Sequence, residues 1–464
     1  MMKNRMLRFE TCSFYDSTGM ERHLEHMAAR GWMIEQISAF GWRYRRIPPT
    51  QIHFAVAYYP PASDFDPEPT EGQRTLQDFC VRTGWQLACT QAQIQIYYNE
   101  DADPLPLETD PVVKVTTLHR AAKKSYLPAF YLLLAVALLQ CAMFFTGLKN
   151  DPIRVLASPS APCTGAAWIL LLLLCVTEIG GYYRWRRRAV KAAAQGLFTE
   201  VKGHSWRQRV LFLAILPGFL YWLVTVLATG PAAIRLITVV TFLSILALYG
   251  IALLVREFLK RRKAPRTVNQ TVTLLSIVFL SFFLTGAVLF AAIRSAGRGR
   301  AEAGQQTYEY GGITWTVYED ELPLTLKDLM EIQTDSGLYT RQYSGNESLL
   351  LGQYDMQHQP RVDTDNYSEL PGIDYTVTVI KVPALYALCR NSLLRESRRF
   401  MTWQPCEASP WSAQEAYRME TRDGEAVNRY LLCYSDRIID IDFSWEPSPK
   451  QMRIVGQIMV DNPL

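Results

Sequence analysis

The amino-acid sequence predicts a multi-domain membrane protein: an α+β N-terminal domain of tandem β-α-β-β units, a five-helix transmembrane bundle and an α+β C-terminal domain. Three observations predict it. Five apolar runs long enough to cross a bilayer follow one another in the middle of the chain. Charge is unevenly spread, and HMAARGWMIEQIS (26–38) has an echo at FCVRTGWQLACTQ (79–91). Residues 1–125 carry 15 Asp/Glu against 14 Lys/Arg, 126–293 carry 4 against 17, and 294–464 carry 25 against 17. The net +4 is therefore the sum of a basic, oily middle and an acidic end, a split that points away from nucleic-acid binding. At 464 residues the chain exceeds one ordinary domain.

The first domain is read as 1–115. LRFETCSFY is a strand candidate, and STGMERHLEHMAARG places Met20, Leu24, Met27 and Ala28 on one helical face. Gly31 suits a left-handed helix stop. WMIEQIS and WRYRRI, separated by Phe40-Gly41, read as a strand pair. The second pass runs IHFAVAYY, a Pro/Asp/Glu-rich connection, a helix with Leu76, Phe79 and Cys80 in stripe, a stop at Gly84, then WQLACTQ and IQIYYN. A tryptophan directly after each stopping glycine can cover the seam between helix end and strand. Tandem units of this kind can also enclose a groove for apolar ligands, with Trp32, Trp42, Tyr44, Tyr58 and Trp85 as candidate linings. His23 and His26, one helical turn apart with no third ligand in view, read as a solvated face and not as a metal site.

The pattern FYDSTGMERHLEHMAARGW…GWRYRR…FAVAYYP…FCVRTGW resembles the bacterial domain-of-unknown-function family 2812 over about residues 8–100. The specific part is the block formed by Glu21, Leu24, Met27, Ala28, Gly31 and Trp32. The resemblance implies a cytoplasmic module ahead of membrane spans and a pairing with PadR-like transcriptional regulators. It supplies no catalytic residues to carry over.

Residues 116–293 hold the expected spans, at 126–148, 163–183, 210–230, 235–255 and 271–293. Gly230-Pro231 makes the turn between the third and fourth. Basic residues cluster before the first span, in YYRWRRR and its sequel, and in REFLKRRK. The positive-inside rule then puts the N-terminus in the cytoplasm of a multi-pass cell-membrane protein and the C-terminal domain outside it. Arg184, Arg186, Arg187, Arg188, Arg261, Arg262 and Lys263 read as lipid and topology anchors. Glu178 is the one acid inside an oily run, within reach of Arg184. The first thirty residues are charged and show no signal-peptide pattern.

Residues 294–306 read as a flexible tether and 307–464 as the exported domain. TYEYGGITWTVY is a hairpin around Gly311-Gly312, DYTVTVIKV a strand, and PALYALCRNSLLRES a helix opened by Pro383. Asp423-Gly424 joins two strand runs, a third follows, and a last helix is capped at Ser448. Asp363 and Asp365 resemble the start of a calcium loop whose remaining ligands are missing. Cys389, Cys406 and Cys433 offer one disulfide or buried thiols. No catalytic motif, metal site or cofactor motif is found. The expectation is a non-enzymatic signalling or regulatory protein that joins an extracytoplasmic domain to a cytoplasmic protein- or ligand-binding module. Its expected partners are membrane lipids, a cytoplasmic regulatory protein and a second copy of itself. The alternative is an accessory or permease subunit of a transport system.

Overall fold

The computed structural model describes residues 4–461 apart from 11, 39–40, 201–204, 230–231, 303–305, 331–337, 365–368 and 396–400. Side chains are described for all of these but 205–209, 211–212, 215, 229, 232–234, 291, 294–302 and 461. The chain divides into two compact units. The first comprises Met1–Gln140, Ala167–Leu220 and Leu236–Phe290, the second Cys141–Ala166, Tyr221–Arg235 and Ala291–Leu464.

In the first unit β1 (Arg5–Arg8), α1 (Ser17–Ala29), β2 (Trp32–Ser38) and β3 (Gly41–Arg46) are followed by β4 (His53–Tyr58), α2 (Glu71–Arg82), β5 (Gln86–Gln91) and β6 (Ile94–Asn99). The β-α-β-β order thus occurs twice. Both antiparallel sheets have the same internal arrangement, β1-β3-β2 and β4-β6-β5, with the third strand in the centre. The Asp16 carboxylate accepts the Gly19 amide at 2.9 Å and caps α1. Its buried stripe of Met20, Leu24, Met27 and Ala28 packs on β4, a strand of the other repeat. Gly31 (φ +81°) and Gly84 (φ +84°) end the two helices in the left-handed region. At Gly31 a Cβ would stand 2.8 Å from the Ile47 carbonyl oxygen, so only glycine fits. In α2 the buried line is Gln73 and Cys80, with Leu76 half-buried. Phe79, expected in that stripe, is 57% exposed, because α2 covers little beyond β5 and its buried face is narrow.

The first helical segment begins at α3 (Pro111–Ala121), where Asp110 accepts the Val112 and Val113 amides. It continues through a π-helical turn (Ala122–Tyr126) into α4 (Leu127–Asn150). Then come α5 (Pro152–Ala157), α6 (Ala161–Ala193), α7 (Ser205–Thr229), α8 (Ala232–Arg261) and α9 (Arg266–Glu302). Among the described residues four stretches are long and apolar enough to cross a membrane: Pro111–Asn150, Ala161–Ala193, Arg235–Arg261 and Arg266–Phe290. The third expected span falls on α7, whose described apolar part, Leu216–Ala228, is shorter. The chain is thus a multi-pass membrane protein by helix length and composition. The Gly230-Pro231 turn lies outside the described residues. The expected tether is mostly helix, since α9 runs on to Glu302. Alanine, arginine and glutamate favour helix enough to outweigh the two glycines there.

In the second unit the hairpin β7 (Thr307–Tyr310) and β8 (Ile313–Thr316) turns at Gly311 and Gly312, both with positive φ. After α10 (Leu326–Leu329) come β9 (Tyr339–Glu347), β10 (Leu351–Pro360), β11 (Ile373–Ile380), α11 (Tyr386–Arg395), β12 (Met401–Cys406), β13 (Glu415–Thr421), β14 (Ala426–Cys433), β15 (Arg437–Phe443) and α12 (Pro449–Asp461). The seven strands form one antiparallel sheet, ordered β12-β13-β14-β15-β11-β10-β9. Side chains alternate between its faces. Leu432, Ile439 and Ile441 meet Trp411, Val455 and Met459 on one side. Leu431 and Ile438 meet Cys389, Ile153, Leu156 and Ala157 on the other. The short α5, from the connection between two apolar helices, is thus part of the core of this domain. Ser348 Oγ fixes it by donating to the Leu156 carbonyl at 2.5 Å.

Candidate functional site

Among the described residues, two joints between the N-terminal module and the helices of its unit are each built from the connection between a repeat's first strand and its helix; Gln93 with Ser125 and Arg22 with Glu200 add contacts elsewhere. In the first repeat this connection is 9–16. Ser13 Oγ donates to Glu178 Oε2 at 3.1 Å, and Tyr126 Oη donates to the same oxygen at 2.8 Å. One buried carboxylate thereby holds the module, the start of α4 and the middle of α6 together. Aromatic rings close the joint. Tyr15 lies edge-on to Tyr182 at 5.7 Å and 5.7 Å from the Trp185 ring, and Phe14 stacks on Tyr126 at 5.3 Å. The Tyr15 hydroxyl reaches so near Gly181 that a Cβ there would stand 2.5 Å away. Burial, reinforced by the Glu178 charge, pushes the Tyr15 phenol up to about 12. His119 Nδ1 and Tyr182 Oη, 2.6 Å apart, extend the network.

In the second repeat the connection is 59–70, the acidic Pro/Asp/Glu-rich segment. Lys124 Nζ donates to the Pro60 and Pro61 carbonyls at 2.8 and 3.0 Å, and Arg266 Nη1 also donates to Pro61 at 3.0 Å. The fully buried Asn269 donates from Nδ2 to the Phe65 carbonyl at 3.1 Å. Arg256 faces Asp64 at 3.7 Å, and Lys263 pairs with Glu68 at 2.7 Å. The hydrogen-bonded ammonium of Lys263 holds the Glu68 carboxyl below its usual range.

This changes the reading of several predicted residues. Glu178 serves Ser13 and Tyr126, while Arg184 donates from Nε to the Gly180 carbonyl at 3.1 Å. Of the basic anchors, Lys263 belongs to the second joint. Arg261 lies 3.7 Å from Glu257, and Arg262 sits over the Phe258 ring at 5.5 Å. Arg188 donates to the Arg184 carbonyl at 3.4 Å, Arg186 is half-buried and Arg187 exposed. The five groove candidates are placed in or against cores. Trp42, Tyr44 and Tyr58 are buried in the main cluster, and Tyr58 Oη donates to the Phe14 carbonyl at 2.5 Å. Trp85 fills a smaller cluster with Ala57, Cys80 and Tyr97, its Nε1 donating to Leu105 at 2.9 Å. Trp32 is half-buried beneath the Arg46 guanidinium. His23, expected on a solvated face, instead turns inward, 3.1 Å from Glu10 and 3.3 Å from the Tyr44 hydroxyl.

In the C-terminal domain Asp363 forks Arg361 at 2.6–3.0 Å, while Asp365 lies outside the described residues. Asp440 takes a two-point contact from Arg429. Cys389, Cys406 and Cys433 are free thiols, the first and third packed in one apolar cluster. His358 is buried, its Nδ1 accepting the Leu326 amide at 3.1 Å, and burial lowers it to about 4. Among the described residues no group of three or more His, Cys, Asp or Glu is placed to hold a metal ion. Sequence reasoning missed Ser13, Tyr126 and Asn269; only Asn269, a polar side chain entering an apolar helix, left a visible signal. No protein-family model matches the chain, and no curated protein and no solved structure matches it.

Proposed function

We propose that this chain is a non-enzymatic coupling protein of the cell membrane, joining an extracytoplasmic sheet domain to a cytoplasmic module that binds a regulatory protein or ligand. The carrying observation is the pair of joints. Both β-to-α connections of the repeat, equivalent by position, hold the helices, the first at the middle of α6 and the second around the turn between α8 and α9, so movement of the helices is passed to both halves of the module. The same reading explains why Glu178 is buried in an apolar helix without a transport role. Its Oε2 accepts from Ser13 of the module and from Tyr126 at the end of the π-helical turn.

The packing of α5 supports this sidedness. This helix lies one crossing after the N-terminal module and is packed into the core of the C-terminal domain. An odd number of crossings between the module and that domain fits this packing, which favours α7 as a fifth span. At 25 residues α7 would reach about 37 Å at 1.5 Å per residue, enough for a hydrocarbon core. The excess of Lys and Arg beside the module supports a cytoplasmic N-terminus, with the exposed Arg187 and its neighbours against anionic lipid. The resemblance of residues 8–100 to domain-of-unknown-function family 2812 agrees with a regulatory partner of the PadR type.

The test is hydrogen exchange on the full chain in lipid nanodiscs, with and without an antibody fragment bound to the C-terminal domain. Coupling predicts altered exchange in 12–17 and 60–70; identical exchange in both segments refutes it.

A further inference from the structure

Beside the first joint lies a cavity of about 180 Å³, bounded by the opening turn of α1, by α3, by the end of α6 and by residues 197–200. Its walls are of two kinds. Val115, Ala189, Phe198 and the Trp185 ring are apolar; Lys114 and Thr199 are polar. Two lining residues carry buried polar atoms with no hydrogen-bond partner in the protein, Trp185 Nε1 and Thr199 Oγ1. Trp185 is only 5% exposed, so bulk water does not serve its N–H. Buried donors of this kind are paired in folded proteins as a rule, and an orphan calls for an explanation.

The Lys114 ammonium also borders the cavity, with Glu108 and Glu21 as its acidic neighbours. Its Nζ stands 3.5 Å from Glu108 and 5.9 Å from the Phe198 ring centre. Burial pushes the Glu108 carboxyl upward, against the pull of Lys114. Glu200, the acid on the cavity wall, is taken up by Arg22. What remains unspent is donor capacity, an indole N–H and a hydroxyl, beside an ammonium group. It asks for an anionic acceptor, while the apolar walls ask for a short hydrocarbon body. The volume equals about six water molecules at ~30 Å³ each. It lies below the ~300 Å³ at which drug-sized sites begin, so it suits a small ligand better than a nucleotide or a long acyl chain.

We propose that this cavity binds a small water-soluble monocarboxylate with a short apolar body, held by Trp185, Thr199 and Lys114. The site stands whether or not the coupling reading holds, although Trp185 also touches Tyr15 of the first joint.

Equilibrium dialysis of the full chain in nanodiscs tests it, with labelled hexanoate as probe, hexylamine as the cation of equal length and palmitate as a bilayer-borne competitor. Hexanoate is expected to bind saturably at one site per chain, hexylamine to show no saturable binding, and palmitate to leave bound hexanoate in place. Thr199→Val, which keeps the shape and removes the hydroxyl, and Trp185→Phe, which keeps the wall and removes the N–H, should each weaken binding about tenfold. Ala189→Leu fills the cavity without touching a donor and should abolish binding in a chain whose thermal unfolding is otherwise normal. The assignment is overturned by absence of saturable hexanoate binding, by equal binding of hexylamine, by displacement with palmitate, or by undiminished binding in both Thr199→Val and Ala189→Leu.

Discussion

Glu178 accepts two hydrogen bonds that originate in different parts of the chain, and its replacement separates them. Glu178→Ala removes the acceptor shared by the half-buried Ser13 and Tyr126 hydroxyls, a cost of about 1 kcal/mol for each bond lost. The expected outcome is faster hydrogen exchange in 12–17 with the 60–70 segment unchanged; Glu178→Gln, which keeps an acceptor oxygen, should lie between. At His358 the sign of the pH effect follows from its depressed folded pKa of about 4 against the ordinary 6.5. The unfolded chain binds the proton first, so stability is full above pH 6.5 and falls as the pH drops toward 4, by at most roughly 3 kcal/mol. Thermal unfolding of the C-terminal domain across that window should show the slope, and His358→Gln should flatten it. An equal slope in the variant would assign the effect elsewhere.

At the scale of elements, α5 behaves as a core helix in spite of its six residues. Ile153 and Leu156 are buried against Leu351, Ile380 and Leu431, so Leu156→Ala should cost about 2–5 kcal/mol in the C-terminal domain. The same substitution at the exposed Leu349 should cost almost nothing, and the comparison isolates burial from general apolar content. The second joint makes a different prediction, because it rests on charge. Lys263→Glu places two acids together at Glu68, and exchange in 60–70 should rise most at low salt, where screening is weakest. The repeat itself was legible in the sequence, since the glycine-tryptophan pairs and the α1 stripe follow local rules. Strands β9 and β10 were not. The inward positions of β10 are filled by Gly352, His358 and Pro360 as well as Tyr354 and Met356, and β9 buries only Tyr339, so the two-residue alternation carries little hydrophobic signal. The joints were illegible for another reason. Ser13, Tyr126 and Glu178 gain meaning only when segments 52 and 165 residues apart meet, and no local periodicity encodes that.

For the whole molecule the number of crossings is the quantity on which the reading turns. A phosphatase reporter fused after Leu464 should be active only outside the cytoplasm, and a second fusion within 151–160 should give the same answer as the first. Agreement between the two, with α7 intact, is the outcome expected from α5 sharing a core with the C-terminal sheet. Opposite answers would remove the odd-crossing argument. The same feature bears on biogenesis. A domain that borrows part of its interior from a segment nearly two hundred residues upstream cannot mature alone. Its last strands must emerge and find a surface already delivered by the first helical pair. The domain is then proofread by the insertion of its own chain: one whose early helices fail to enter the bilayer correctly presents a sheet with one face bare, a ready substrate for proteases.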